Sequence, residues 1–156
     1  MSVSINKTKA KAECMAHFKE INNKRKEHES MYYQDVSLFL NIVRTKTLDN
    51  NVKRSDLHAL IGISDGNFSN FINSKSRKNR IPYHYAFWLV LATASSYDEA
   101  LIMMARSGNI MDDSSEILCL SRALFMTLCI EKDYTLRLSV AAEIINETPY
   151  YDFFMH

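Results

Sequence analysis

The 156-residue chain holds only 3 glycines and 2 prolines, and that scarcity closes off most of the folds open to a protein of this size. Hairpins and sheet corners draw on residues that reach left-handed backbone angles or that fix φ, and a sheet protein with many reversals needs far more of both. An all-α chain follows. The few breakers also mark helix ends. Gly62 and Gly108 stand just past apolar stripes, where a left-handed residue closes a helix, and Pro82 stands at a first helical position, where its missing N–H is no loss. With 47% hydrophobic residues the chain can bury one real core, alone or with a small extension, whereas two large domains are excluded.

Residues 51–80 carry the most specific pattern. Leu57, Leu60 and Ile61 make an apolar stripe that stops at Gly62. Ile63 fills the turn, Ser64 can cap the next helix through its hydroxyl, and Phe68, Phe71 and Ile72 then recur at three- and four-residue intervals. The opposite face of that second helix carries Asp65, Asn67, Ser69, Asn70 and Asn73, and Lys75, Arg77, Lys78 and Arg80 follow it. Two short helices pivoting on a glycine, the second polar outward and ending in cations, have the layout of a helix-turn-helix that reads base edges and grips phosphates.

This stretch resembles the phage-repressor (Cro/CI, XRE) helix-turn-helix family, in which a leucine precedes the turn glycine by five residues and a small apolar residue and a capping Ser or Thr follow it. Leu57, Gly62, Ile63 and Ser64 fit, and Phe68, Ser69, Phe71, Asn73 and Lys75 occupy the later positions of the pattern. Three places depart from it: His58 stands where a small alanine is usual, Ser74 where glycine is common, and Asp65 with Gly66 where base-reading side chains are usual. The likeness spans the central half of the chain, from a first helix near Val36 to a fifth near Ser107. It implies a lambda-repressor-like five-helix unit over residues 31–108, with recognition helix 64–73 in the major groove of double-stranded DNA. Asp65, Asn67, Ser69 and Asn70 would face base edges, Asn70 foremost because one amide can bond adenine N6 and N7 together. Arg54, Asn73, Lys75, Arg77 and Lys78 would hold phosphates.

The net charge of +1 hides a division along the chain. Residues 1–80 hold 15 Lys and Arg against 8 Asp and Glu, and residues 81–156 hold 4 against 10, giving +7 and −6. A basic half that contains the proposed recognition helix suits a protein with one face on nucleic acid. Cys14, Cys119 and Cys129 are odd in number and form no CxxC, so a reduced compartment is expected, with the protein soluble and cytoplasmic. No apolar run approaches the roughly 20 residues of a membrane span. Cys14 and His17 share a helix face without a second pair to complete a metal site, and His28, His58, His84 and His156 add none. No catalytic grouping surrounds Tyr83, His84 and Tyr85, and no glycine-rich phosphate loop exists; neither enzyme, cofactor nor metal is expected.

On the N-terminal flank, residues 1–7 are expected to be irregular, followed by a charged helix from about Thr8 to Glu29 with Met15, Phe18 and Ile21 on one side, a basic arm over residues 1–30 that covers the core first of all, or else reaches DNA backbone or makes a coiled contact between subunits. A helix from about Met31 to Thr45 precedes a polar loop, Lys46 to Asn50. Ser96 and Glu99 form a capping box. Residues 109–156 form a C-terminal helical hairpin, its first helix Glu116 to about Ile130 apolar almost all round and its second, about Thr135 to Glu147, offering a partner stripe. This hairpin is expected to dock on helices four and five and to contribute to a homodimer, with a purely intramolecular cover as the alternative. The function expected is a sequence-specific DNA-binding transcriptional regulator, a repressor before an activator; the alternative is a helix-turn-helix-derived interaction module, an inhibitor or adaptor that engages a protein partner through its C-terminal helices.

Overall fold

A computed structural model describes residues 6–75 and 77–155, and for residues 26–32 it describes the backbone alone. All secondary structure among them is helical: α1 (Lys7–Tyr32), α2 (Val36–Asp49), α3 (Arg54–Ile61), α4 (Asp65–Ile72), α5 (Tyr83–Thr93), α6 (Tyr97–Arg106), α7 (Glu116–Leu128), α8 (Tyr134–Asn146) and α9 (Tyr151–Met155). No helix among the described residues is long and apolar enough to cross a membrane.

The chain divides into two units, Met1–Tyr33 and Gln34–His156. The first is α1, whose Asn6 side chain accepts from the Lys9 amide at 3.1 Å, so the helix opens one residue earlier than expected. Residues 1–5, also expected to be irregular, lie outside the described residues. Met15, Phe18 and Ile21, the apolar side of this helix, are all more than half exposed.

The second unit is built around α5. Eight consecutive residues, Ala86 to Thr93, are buried, because α2, α3, α6, α7, α8 and α9 all pack on this one helix. Removing apolar side chains from water stabilises by roughly 1.5–3 kcal/mol for each fully buried Leu, Val or Phe, which makes α5 the energetic centre. Pro82 is the N-cap, one position earlier than expected. Local capping defines most other starts: Ser64 accepts from Asn67 N at 3.2 Å, Ser96 from Glu99 N at 3.1 Å, Ser115 from Leu118 N at 3.2 Å, and Asp133 from Leu136 N at 3.1 Å.

Four expectations are corrected. The helix expected from Met31 begins at Val36, because α1 runs on to Tyr32 and the Asp35 carboxylate, accepting from Leu38 N at 3.0 Å, makes the stronger cap. Lys46 to Asp49 are not loop but the last turn of α2: the Lys46 ammonium donates to Thr93 O and Ser95 Oγ, each at 3.2 Å, and pairs with Glu99. Burial, with Arg137 nearby, holds the Lys46 pKa below its ordinary value. The capping box is half formed, since the Glu99 carboxylate turns to Lys46. Finally, α9 was not anticipated; Phe154 is fully buried there, and its carbonyl accepts the Trp88 indole N–H at 2.8 Å.

One buried cation ties the C-terminal helices to the hub. Arg137, only 2% exposed, donates to Leu91 O at 3.3 Å, Cys129 O at 2.9 Å, Ala94 O and Glu131 O, and its guanidinium lies 4.3 Å from the Tyr134 ring centroid. Ala94 and Cys129 are the C-caps of α5 and α7. Carbonyls at a helix end lack intrahelical partners and carry the negative pole of the helix, so one guanidinium closes two helices without a carboxylate.

Candidate nucleic-acid interface

α3 and α4, eight residues each, pack on one another through a turn at Gly62–Ser64. Gly62 has φ +86°, a backbone conformation that a side chain would strain, and its N–H donates to His58 O at 2.9 Å. Leu57 and Ile61 from α3 and Phe68, Phe71 and Ile72 from α4 are buried. His58 does not crowd this packing: it is half-buried, with Nδ1 3.2 Å from Ile63 O and its ring 6.4 Å from that of Phe68. Ser74 avoids the positive φ of a glycine, since Asn51 is the one non-glycine residue with positive φ among the described residues.

Four of the five residues expected in the polar row of α4 face outward. Asp65, Asn67, Asn70 and Asn73 are exposed, the three asparagines at steps of three residues on one side of the helix. Ser69 is half-buried, and its hydroxyl accepts from the Asn73 amide at 3.4 Å, so this pair stiffens the end of α4. Gly66 lies in the first turn with open space where a side chain would be. An amide row of this kind presents both donors and acceptors outward, which suits a planar partner with a mixed hydrogen-bonding edge.

The expected cations surround the row without touching its centre. Arg54, the first residue of α3, stacks over Phe68 with its guanidinium 5.4 Å from the ring centroid, and stands 3.9 Å from the Asp65 carboxylate. Arg77 lies over Phe71 at 4.9 Å, its Nε buried without a hydrogen-bond partner. Lys75 and Lys78 are exposed, and with Arg77, Gln34, Asp35, Val36 and Ser37 they line a pocket of about 270 Å³ at the start of α2. The segment carrying them is strapped in place: Gln34 Nε2 donates to Lys78 O at 3.1 Å, and Ile81 donates to Ser107 O at 2.9 Å and accepts from Asn109 Nδ2 at 3.0 Å.

Sequence reading missed Arg44. Its guanidinium donates to Ile72 O at 2.6 Å and so closes the C-terminus of α4 from α2, twenty-eight positions away. No local pattern announces such a contact. Arg44 and Arg54 also flank a cleft of about 150 Å³ beside α4, floored by Phe68 and Ile72. Among the described residues, no three His, Cys, Asp or Glu side chains gather where they could hold a metal ion. No family model, curated protein or solved structure matches this chain.

Proposed function

We propose that the chain is a sequence-specific double-stranded DNA-binding transcriptional regulator of the helix-turn-helix kind. α2 to α6 would form a lambda-repressor-like unit, and α4 would enter the major groove. The observation that carries the reading is the exposed row Asn67, Asn70 and Asn73 on a helix whose other side is buried in the core, with Arg54, Lys75, Arg77 and Lys78 around it. In this reading Asn67 and Asn70 meet base edges, with Asp65 able to accept from cytosine N4, while the cations meet phosphates. Two copies bind two half-sites about 34 Å apart.

Selection of bound duplexes from a random library at near-physiological salt tests it. An enriched palindrome is expected. Asn70→Ala should relax preference at one base position at a cost of about 1–3 kcal/mol, and Lys78→Ala should lower the salt slope by about one unit without changing preference. A folded protein that enriches no sequence refutes the reading.

A second reading rests on Asp65. Its carboxylate is exposed at the leading end of α4, no Lys or Arg lies within residues 64–74, and Arg54 already faces it. These features favour a helix-turn-helix-derived module that binds protein rather than DNA. It predicts that Asp65→Asn leaves DNA affinity negligible, whereas in a DNA reader the substitution changes affinity and the preference at the base pair that Asp65 meets.

A further inference from the structure

The pocket of about 270 Å³ at the start of α2 is lined by hydrogen-bond donors that have nothing to donate to. Val36 and Ser37 open α2, and their amide N–H groups find no acceptor among the described residues, because the Asp35 carboxylate accepts from Leu38 N instead. Exposed Ser37 adds its hydroxyl. Across the pocket, Lys75 and Lys78 form no ion pair among the described residues, and Arg77 Nε is buried without a partner. The two sides are held in place by bonds of their own. Gln34 Nε2 donates to Lys78 O at 3.1 Å, and Asp35 N donates to Arg106 O at 2.9 Å.

We propose that this pocket binds the phosphate group of a small phosphomonoester. Three cations and one carboxylate line it, and the positive pole of α2 adds about half a charge, so the net charge to be met is about +2.5. A phosphomonoester brings about −1.5 to −2 at neutral pH and three acceptor oxygens, which answers both the charge and the open donors. A backbone phosphate of DNA is a diester with a single charge, and a carboxylate also carries only one; each leaves part of the cluster unmet. The volume lies just under the range of small-molecule sites, with room for the phosphate and a body the size of a sugar. The straps at Gln34 and Asp35 form the seat before the ligand arrives, which lowers the cost of binding.

The site stands on these donors alone, while its consequence for regulation rests on the regulator reading. Lys75, Arg77 and Lys78 are the cations that meet DNA phosphates in that reading. A phosphomonoester seated among them withdraws them from the duplex, so the occupied protein releases its operator.

The full chain, isotope-labelled for NMR, is titrated with glucose 6-phosphate in phosphate-free buffer at about 0.1 M salt. Saturable shifts are expected at the Val36 and Ser37 amides, half complete at or below about 1 mM. Dimethyl phosphate, a diester, should bind at least about tenfold more weakly, because it forgoes a charge-assisted contact. Between about pH 7.5 and about pH 5 the affinity for glucose 6-phosphate should fall about tenfold as its second proton returns, whereas sulfate, dianionic throughout, keeps its own. Lys75→Ala and Lys78→Ala, both at exposed positions, should each weaken binding about tenfold, and Lys132→Ala, exposed beyond α7, should not. A folded protein whose Val36 and Ser37 amides show no saturable shift overturns the site. Equal binding of dimethyl phosphate, or an equal loss in Lys132→Ala, overturns it too. The titration contains no DNA: shifts without an enriched duplex keep the site and sink the regulator, and an enriched duplex without shifts does the reverse. Where both hold, saturating glucose 6-phosphate should lower affinity for the enriched duplex about tenfold or more, and unchanged affinity overturns the regulatory consequence.

Discussion

Replacing Arg137 with methionine tests whether one guanidinium closes α5 and α7. The substitution keeps much of the aliphatic volume and strips the donors from four carbonyls, those of Leu91, Ala94, Cys129 and Glu131. A buried acceptor left without a donor costs about 1–2 kcal/mol, so the gross loss is about 4–8 kcal/mol. Returning a guanidinium to water offsets several kcal/mol of that, because charge burial is expensive even when every donor is engaged. A net loss of about 3–4 kcal/mol follows. With a urea slope near 2 kcal/mol per molar, the unfolding midpoint of Arg137→Met should fall by about 1.5–2 M. Arg137→Lys should lose less, since an ammonium keeps the charge but cannot span both helix ends as a planar fork does. Circular dichroism against urea, at neutral pH and matched protein concentration, reads all three proteins. If Arg137→Met is as stable as the parent, the carbonyls do not depend on this side chain and the argument fails.

Two further outcomes concern backbone and protonation. Gly66→Ala should raise stability by about 0.5–1 kcal/mol, since the site is helical and open, whereas Gly108→Ala should lower it by about 1–3 kcal/mol. At Gly108 φ is +94°, and an added Cβ would come within 2.6 Å of Arg80 Cγ and 2.9 Å of Gln34 Oε1; calorimetry on the pair checks the opposite signs. Stability should also fall in alkali. Burial holds the Cys129 thiol at about 11 against an ordinary 9.0, and Tyr83 at about 12 against 10.0, so the folded state keeps protons that the unfolded chain releases as pH rises from 9. The Cys129 share at pH 10.5 is about 2 kcal/mol, at 1.36 kcal/mol per pKa unit. Cys129→Ala should therefore lose distinctly less stability between pH 8 and pH 10.5 than the parent; equal losses would show that the thiol is not the group responsible.

What could be read from the residues was whatever acts within a turn or two of chain. Ser64, Ser96 and Ser115 each cap the helix they precede, through a hydroxyl three residues from its donor. Gly62 turns left-handed where an apolar stripe stops. The exposed asparagines of α4 are likewise the complement of Phe68, Phe71 and Ile72, a local periodicity. Misread places are those where a distant partner decides. Lys46 looked like loop because its partners, at Thr93, Ser95 and Glu99, lie some fifty positions on. Arg44 and Arg137 had no signature, because a backbone carbonyl on another helix is an acceptor that every residue offers. Phe154 sits in five residues too few to show a period, and its ring packs on Phe87 and Tyr83, some seventy positions earlier in the chain.

The bond between Trp88 and the Phe154 carbonyl crosses sixty-six positions of chain. During synthesis α5 is therefore complete well before α8 and α9 exist to cover it, and for that interval the most apolar helix of the protein is covered only by α2 and α3 and, as they emerge, by α6 and α7. Contacts so far apart in the chain also slow folding, because a long loop must close before the contact rewards it. The same helix that centres the finished core is the segment most in need of protection on the way there, and conditions that delay the last helices should send the chain into aggregates through α5 rather than through its polar face.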